Sequence, residues 1–580
     1  MNYQLLPSTD AALDSNFAAS SSTLSTDLVA DGSVDFRGRI ADKQKTGGWK
    51  ASSFIIANEA AERLSAFTVS GSLVLYLTNE MKESLPDAAT HVSDWLGSTY
   101  LLMLLGAFLA DAYLGRYLTV ILSSIVYLVG MIMLTVSATV STLRPTPCNT
   151  DTSNCPSATM GQSAFLYSAL GLVALGTSGV RPNVPTFGAD QYDENDEKEL
   201  SYKYTFFNLF FLSIKGGALL GLTLMVYIQQ EKGYGWGFGL PTGIMFASLV
   251  ILAAGFPRYR YKKTMGSVFT RFIQVIVVSV RNHFKGVKVG PKVKLYEVAT
   301  KESDIFGARR LSHTPHYRFL DKAAMIEDHE LTDITDRWKL CTITQVEELK
   351  TFVGIFPVWA SNIAHSLSLA QQTTFFIAQS KILDRKLGPN FVIPPGSMQI
   401  FAVISAFITV SVYEKFIVPI LKWKTNHPRG LTSLQRMGLG LFLAIFALAL
   451  AAAIEHMRRT HSNPSSLSVF WLVPQYFVLG GAESFMYVGQ LEFFYDEATD
   501  GMKSVCGALF LSEVGVGSWV NSALVKIVQW ATGTGENGWL KDDLNESKLD
   551  YYYAIVAGIS VANLFLYVLV ARRYKSRHQG

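Results

Sequence analysis

The stretch FIIANEAAERLSAFTVSGSLVLYL, residues 54–77, is long and apolar enough to cross a membrane, yet Glu59, Glu62 and Arg63 interrupt it. Each such charge costs about 2.5–3.5 kcal/mol at the centre of a membrane helix. Their i, i+3, i+4 spacing places all three on one helical face, so Arg63 can pair with Glu59 while Glu62 needs another partner or a proton. A salt bridge that served packing alone would need only one acid and one base. The second acid therefore favours a proton-binding role.

The rest of the 580-residue chain repeats the pattern of long apolar runs. A membrane span needs about 20 apolar residues, because the hydrocarbon core is about 30 Å thick. We therefore predict an all-α membrane protein with twelve transmembrane helices. The predicted spans are 54–79, 93–114, 118–143, 163–187, 202–228, 236–256, 349–376, 397–421, 434–457, 467–494, 505–530 and 551–571.

The spans fall into two sets of six around a long charged segment. Residues 1–50 lack the apolar core of a signal peptide and are predicted to form a largely disordered cytoplasmic tail. The other predicted units are a first six-helix unit at 51–256, a basic cytoplasmic linker at 257–345, a second six-helix unit at 346–571 and a cytoplasmic tail at 572–580.

The distribution of Lys and Arg predicts the orientation. These residues gather in the linker, in the 422–436 loop and at the C-terminus, which places these segments in the cytoplasm. Cys148 and Cys155 then lie outside, where a disulfide can persist, and Asn545 begins an outside glycosylation sequon. We expect a multi-pass protein of the plasma membrane, with the vacuolar membrane as the alternative, surrounded by lipid and without a nucleic-acid partner.

Four further charges lie inside predicted spans: Arg181, Lys215, Glu483 and Glu513. At 1.5 Å per residue, each lies about 12–20 Å from the cytoplasmic end of its helix. This depth is near the midplane, where transporters bind their substrates. Counted with the first cluster, four acids face three bases, which leaves one carboxylate that a proton can neutralise. The pattern favours a transporter coupled to a proton gradient.

Other functional classes fit less well. A channel would more readily show rings of like charge, and a membrane enzyme would show clustered nucleophile or His/Asp motifs. His365 is a lone histidine within a span and is expected to be a hydrogen-bonded packing residue. We therefore expect no catalytic residue, no metal and no cofactor other than protons. Breaks at Pro182 and Pro185, and at Gly480–Gly481, lie beside charges and either line a cavity or are packing kinks.

Several longer motifs resemble known families. GAFLADAYLGRY, with Asp111, Gly115 and Arg116, resembles the loop signature of the major facilitator superfamily, and EAAERL resembles the ExxER motif of the proton-coupled oligopeptide transporters. The motifs GADQYDE, FFNLF, WKLCTITQVEELK, GLTSLQRMGLG and QLEFFYDEATDGMKS resemble the plant nitrate/peptide transporter family. Together they cover the chain from about residue 34 to residue 575.

The resemblance implies the major facilitator fold, with two six-helix bundles around a cavity that opens alternately to either side. It implies proton coupling by Glu59, Glu62 and Arg63, and substrate binding by Arg181 and Glu483 facing one another across the bundles. Phe67 stands in the aromatic part of the pattern after ExxER, and Asp111, Gly115 and Arg116 form a gating loop. Lys215 and Glu513 depart from the family, and we expect Lys215 to meet Glu483 and Glu513 to meet Arg181 in a ring of alternating charge.

The resemblance leaves the substrate open. Plant relatives carry nitrate, peptides, hormones or defence glycosides, and the expected function is proton-coupled import of such a small polar or anionic solute. The alternative is a nutrient or hormone sensor, or a facilitator, with little proton-coupled transport. Thr119 follows basic residues and is a candidate kinase site, although it can equally cap the amides of the third helix. The sequence does not indicate an oligomeric state.

Overall fold

The computed structural model describes residues 28–146, 156–262, 266–286, 295–298, 303–305, 308–326, 336–425, 430–533 and 538–574. These residues form helices and a few isolated β-bridges, with no strand longer than a bridge in these ranges. The all-α prediction is therefore confirmed. The first six long helices are α1 Gly48–Asn79, α2 Leu85–Leu109, α3 Arg116–Thr139, α4 Met160–Val180, α5 Glu197–Leu220 and α6 Tyr234–Ala254.

The second half repeats this arrangement after a linker that contains one helix, Val268–Phe284, which we call the linker helix. The six long helices of the second half are α7 Ile343–Thr373, α8 Ile400–Val412, α9 Ser433–Thr460, α10 Val473–Glu497, α11 Lys503–Thr532 and α12 Leu549–Arg573. Shorter helical segments extend four of the twelve helices: Ala110–Leu114 extends α2, Gly221–Met225 and Val226–Lys232 extend α5, Phe375–Ile382 extends α7, and Pro395–Gln399, Tyr413–Ile417 and Val418–Thr425 flank α8.

Ten of these twelve helices, with their extensions, are long and apolar enough to span a membrane within the described ranges. The two exceptions are α1 and α10, so composition alone does not reproduce the predicted count of twelve. Helix α1 carries Lys50, Glu59, Glu62 and Arg63 within its first half, and α10 carries Glu483. Both exceptions therefore carry acidic residues of the candidate site within their length.

Local sequence signals explain where several helices begin. Three helices start with a Thr-x-x-Gln capping box, in which each side chain bonds the other residue's backbone N–H. The boxes are Thr159/Gln162, Thr342/Gln345 and Thr432/Gln435. Helix α4 ends at Val180, and a short helix restarts at Val184–Ala189, so the predicted proline break is confirmed. Helix α10 runs unbroken through Gly480, so the second predicted break is wrong.

The two bundles meet at the ends of the helices away from the linker, which we call the far side. A Cβ on Gly396 would lie 2.0 Å from the carbonyl oxygen of Gly71, so these two backbones touch directly. Near the same side, Lys381 Nζ donates to Asn79 Oδ1 at 2.6 Å and Ser397 Oγ donates to Leu222 O at 2.6 Å. Helices α2 and α11 also pack closely across the bundle interface. These contacts close the far side.

The linker helix belongs mainly to the second bundle. Its residues Val268, Phe272, Val275 and Val278 are buried in a hydrophobic cluster with residues of that bundle. An ion pair between Arg271 Nε and Glu348 Oε2, 3.0 Å apart, ties it to the first turns of α7. On its other side, Phe269 contacts Phe108 of α2 edge-on, with ring centroids 5.7 Å apart. The linker helix therefore reaches both bundles on the linker side.

Part of the predicted N-terminal tail is ordered. Val34 forms a backbone bridge with Tyr261, with N–O distances of 2.9 and 2.8 Å. Ala30 N donates to Asp193 Oδ2 at 2.8 Å, and Lys43 Nζ lies 2.9 Å from Asp196 Oδ2. The expectation of a largely disordered tail up to residue 50 is therefore wrong for residues 28–50, because this segment pairs with loops on the linker side. Residues 1–27 lie outside the described residues.

Candidate functional site

The charged turn of α1 forms the core of the site. Arg63 Nε donates to Glu59 Oε1 at 2.7 Å, which confirms the pair expected from the i, i+4 spacing. The same nitrogen lies 3.5 Å from Glu62 Oε2. Both carboxyl side chains are fully buried, whereas the Arg63 side chain keeps 17% exposure. The arginine thus bridges two acids from the edge of the cavity.

Arg181 supplies the partner that Glu62 lacked. It caps the C-terminus of α4, next to the proline break, and its Nε donates to Glu62 Oε1 at 3.0 Å. Its guanidinium lies over the ring of Tyr100 on α2, 5.7 Å from the ring centroid. The first bundle therefore holds two acids and two bases in one cluster. Glu62, for which the sequence offered no partner on α1, thus pairs with Arg181 at the end of α4.

One carboxylate oxygen of Glu59 and one of Glu62 remain without a described hydrogen bond. Glu59 Oε2 and Glu62 Oε2 are buried and accept no hydrogen bond from the described residues. The cluster can therefore accept a proton without first losing a hydrogen bond at these atoms.

Two glycines of α5 hold this turn in place. A Cβ on Gly217 would lie 2.7 Å from Ala60 O and 2.9 Å from Arg63 Cβ. A Cβ on Gly221 would lie 2.6 Å from Leu64 O and 3.3 Å from Phe67 Cβ. Small residues let two membrane helices approach closely. The half-buried Phe67 lies one turn beyond Arg63 on the same face of α1.

The second bundle contributes Glu483 from α10. This side chain is half-buried, and no hydrogen bond or ion pair is described for it. Tyr487, one turn further along α10, interacts electrostatically with Arg63, Glu59 and Glu483. This face of α10 therefore lies opposite α1. Tyr487, Leu491 and Tyr495 continue the face at i, i+4 and i+8 with exposures of 42, 46 and 60%, so exposure along this face increases toward the linker side.

Lys215 lies on α5 and is also half-buried. Its ammonium group lies 5.6 Å from the centroid of the Phe211 ring, and Phe211 contacts Phe407 of α8 edge-on at 6.2 Å. No carboxylate is described within salt-bridge distance of Lys215. The cation–π contact with Phe211 is the one contact described for its ammonium group.

The expected ring of alternating charge is wrong. Glu513 accepts a hydrogen bond from Ser366 Oγ at 3.1 Å and a second one from Gln490 Nε2, and no pair with Arg181 is described. Arg181 pairs with Glu62, so the bridge expected between Arg181 and Glu483 is also not seen in the described residues. The prediction failed because helix adjacency was known only by analogy, and side-chain direction decides which charges meet.

Three neighbours of the predicted residues were missed. Tyr100 contacts Arg181, and Ser366 and Gln490 both contact Glu513. Gln490 stood inside a motif quoted above, and a polar amide within a span was a usable signal. Tyr100 and Ser366 carry no such signal, because single aromatic and hydroxyl residues are common in membrane helices.

The motif that contains Asp111, Gly115 and Arg116 connects the α2–α3 loop to the loop before α5. Gly115 has φ +75°, a left-handed conformation that ends one helix and begins the next. Arg116 then donates to Asp190 and lies 4.0 Å from Asp111 Oδ1. Thr119 Oγ1 donates to Gly115 O at 2.9 Å and the residue is buried. Thr119 therefore caps no helix amide, and its hydroxyl is enclosed in this conformation.

The remaining predicted positions are peripheral. Cys148 and Cys155 lie outside the described residues. Asn545 is exposed, and its Oδ1 accepts a hydrogen bond from Arg458 at 2.7 Å. His365 is buried, but neither ring nitrogen has a described hydrogen bond, contrary to expectation.

One group of potential metal ligands occurs in the described part of the chain: His313, Asp321 and Glu347. Lys350 Nζ already lies 2.6 Å from Asp321 Oδ1 and 2.9 Å from Glu347 Oε1. The Lys350 ammonium group therefore already bridges these two carboxylates. The group is a linker-to-α7 ion-pair cluster.

Comparisons with known proteins agree with this architecture. The model of the POT family matches residues 117–540. Among relatives in Arabidopsis thaliana, protein NRT1/PTR family 8.3 is 43% identical over 560 residues, covering 94% of this chain and 95% of the relative. Protein NRT1/PTR family 6.3 is 40% identical over 566 residues, covering 95% of each chain.

Solved structures show the same fold at lower identity. The POT family transporter PepTSo has a TM-score of 0.65 at 20% identity, covering 90% of this chain and 98% of that one. An auto-inhibited POT family peptide transporter has a TM-score of 0.64 at 18% identity, covering 91% and 98%. The fold, the family model and the plant relatives agree, and the chain belongs to the POT family as a multi-pass membrane transporter of its NRT1/PTR branch.

Proposed function

We propose that this protein is a proton-coupled symporter that imports a small polar or anionic solute by alternating access. The observation that carries the proposal is the 3.0 Å pair between Arg181 and Glu62, inside a cluster whose two acids and two bases are buried together. Nitrate, small peptides and plant hormones or other metabolites all fall within this substrate class.

The coupling follows from charge balance. While Glu62 is ionised, it occupies Arg181. A proton on Glu62 weakens that pair and leaves the Arg181 guanidinium free, and its planar fork suits a carboxylate or another oxyanion. The anionic group of the substrate then replaces the lost carboxylate charge. Proton and anion thus enter together, because either one alone leaves an uncompensated charge in the cluster.

Two further charges give the cavity its polarity. Lys215 on the first bundle and Glu483 on the second are half-buried, and neither has a described ion pair. A substrate with an anionic group is attracted to Arg181 and Lys215, and an amino group on the same substrate is attracted to Glu483. The proposed site therefore accepts simple anions and zwitterions.

The proposed cellular setting is the plasma membrane, with the linker in the cytoplasm. The basic linker supports this orientation, since Lys and Arg concentrate on the cytoplasmic side of membrane proteins. With this orientation, the cavity opens to the cytoplasm and the closed far side faces the acidic exterior.

The test uses purified protein in liposomes, with labelled nitrate, dialanine and abscisic acid as probes at acidic outside pH. Wild-type protein is expected to accumulate at least one probe when a pH gradient is imposed. Glu62→Gln is expected to keep exchange of that probe across the membrane and to lose gradient-driven accumulation. Glu492→Gln is the matched control, because it removes a carboxylate that is paired with Arg436 at 2.7 Å instead. Accumulation in Glu62→Gln equal to wild type contradicts the proposal.

A further inference from the structure

Glu513 is a buried acid that the proposed mechanism does not use. The residue is 1% exposed on α11, in the second bundle. Its two oxygens accept hydrogen bonds from Ser366 Oγ of α7, at 3.1 Å, and from Gln490 Nε2 of α10. Both donors are neutral. This carboxyl therefore differs from Glu59 and Glu62, each of which contacts an arginine.

Among the described residues, no cation on the helices packed against α11 lies within ion-pair distance of Glu513. Helix α7 presents Ser366, whose Cβ lies 2.3 Å from where a Cβ on Gly517 would be. The preceding residue, His365, has no described hydrogen bond at either ring nitrogen. Helix α2 presents Gly97 and Leu101 to the neighbouring Gly515. Helix α2 carries Asp94, whose described contact with α11 is through its carbonyl. Helix α10 carries Glu483, and Glu492, which pairs with Arg436 at 2.7 Å.

From this geometry we infer that Glu513 is a second proton-binding site of the transport cycle, located in the second bundle. An isolated ionised carboxylate is costly to bury, and it is neutralised by a proton where no cation compensates it. One O–H bond forms on Glu513 when the proton arrives and breaks when it leaves, and no electrons are transferred. The inference rests on the proposed proton-coupled function for its role in transport.

The surrounding contacts connect this proton to substrate binding. Gln490 links Glu513 to α10 and lies seven residues, about two helical turns, after Glu483. Its neighbour Leu491, and Tyr487 one turn earlier, are exposed on the cavity face, so Glu513 lies one side chain away from that face. The neutral acid can donate to Ser366 or Gln490, and the ionised form can only accept from them. Gain or loss of the proton therefore changes how α10 is held against α7 and α11.

The first test detects the proton directly and requires no substrate. Infrared spectra of the full-length protein in liposomes are recorded during a pH titration. We expect a protonated-carboxyl C=O band that is present in wild type and in Glu492→Gln and absent in Glu513→Gln. Ser366→Ala keeps the carboxyl but removes one hydrogen bond, so it should shift the frequency of the band and the pH at which it disappears. Identical carboxyl bands in wild type and Glu513→Gln at every pH overturn the inference.

The second test counts protons in transport. With the membrane potential clamped at zero, each coupled proton contributes about tenfold to the steady-state accumulation per unit of pH gradient. Glu513→Gln is expected to accumulate dialanine or nitrate about tenfold less than wild type at a gradient of one unit, with exchange retained. An unchanged accumulation ratio contradicts a transport role. If wild type itself does not respond to the gradient, the proposed function fails, and the infrared result alone decides whether Glu513 binds a proton.

Discussion

The two bundles stabilise the acidic residues of the candidate site in different ways. In the first bundle, Glu59, Glu62, Arg63 and Arg181 form a cluster in which every acid contacts a guanidinium. In the second bundle, Glu513 is held by a hydroxyl and an amide, and no partner is described for Glu483. Ion pairs make the first cluster sensitive to the loss of any member. Neutral donors allow Glu513 to gain or lose a proton without breaking an ion pair.

The sharpest way to break the first cluster is Arg63→Ala. The substitution leaves Glu59 buried without its 2.7 Å partner, and the loss of one member of a buried pair typically costs about 3–5 kcal/mol. We expect a large decrease in the melting temperature of the detergent-solubilised protein. Glu59→Gln on the Arg63→Ala background should recover most of it. Glu513→Gln, which removes no ion-pair partner, should change the melting temperature far less.

A smaller effect is expected from Gly217→Ala, which tests how rigidly α5 holds the charged turn of α1. The added methyl would lie 2.7 Å from Ala60 O, and overpacking of this kind costs about 1–3 kcal/mol. Gly216→Ala is the matched control, because no atom lies within 4 Å of a Cβ at that position. Thermal unfolding of both variants provides the measurement, and equal stabilities would show that the helices adjust freely.

Arg181→Lys tests whether transport requires the guanidinium group of the first-bundle cluster or only its charge. Lysine keeps the charge but loses the planar fork and the stacking on Tyr100. We expect uptake of anionic probes to fall about tenfold, which corresponds to about 1.4 kcal/mol, while stability changes little. Uptake should be measured at matched surface expression. Wild-type uptake would show that Arg181 acts as a point charge only.

The smallest effect is expected for the interaction energy between Lys215 of the first bundle and Glu513 of the second. Lys215 and Glu513 share no described partner, so the effects of Lys215→Met and Glu513→Gln on uptake should add within about 0.3–0.5 kcal/mol. A double-mutant cycle on initial rates measures this term. Partial rescue of Lys215→Met by Glu513→Gln would mean that the two residues are coupled, as members of one ring of charge would be.

The sequence predicted helices better than side-chain partners. Apolar runs and capping signals marked the spans, because membrane thickness and unsatisfied helix ends impose local rules. The Glu59–Arg63 pair was also local, at i, i+4, and was predicted. The Glu62–Arg181 and Glu513–Gln490 contacts join residues that are distant in sequence or on different helices, and their formation depends on helix rotation. The sequence did not predict that residues 28–46 are structurally ordered, because their partners lie about 150–230 residues further along the chain.

That N-terminal segment has a consequence for biosynthesis. Val34 bridges Tyr261, which follows the sixth long helix. At a synthesis rate of about 5–20 residues per second, residue 34 waits about 10–50 s for this partner to emerge. The segment can dock only after all six helices of the first bundle have been made. Its pairing would thus mark a completed first half before synthesis of the second half has finished, and a bulky fusion near residue 34 would interfere with that step.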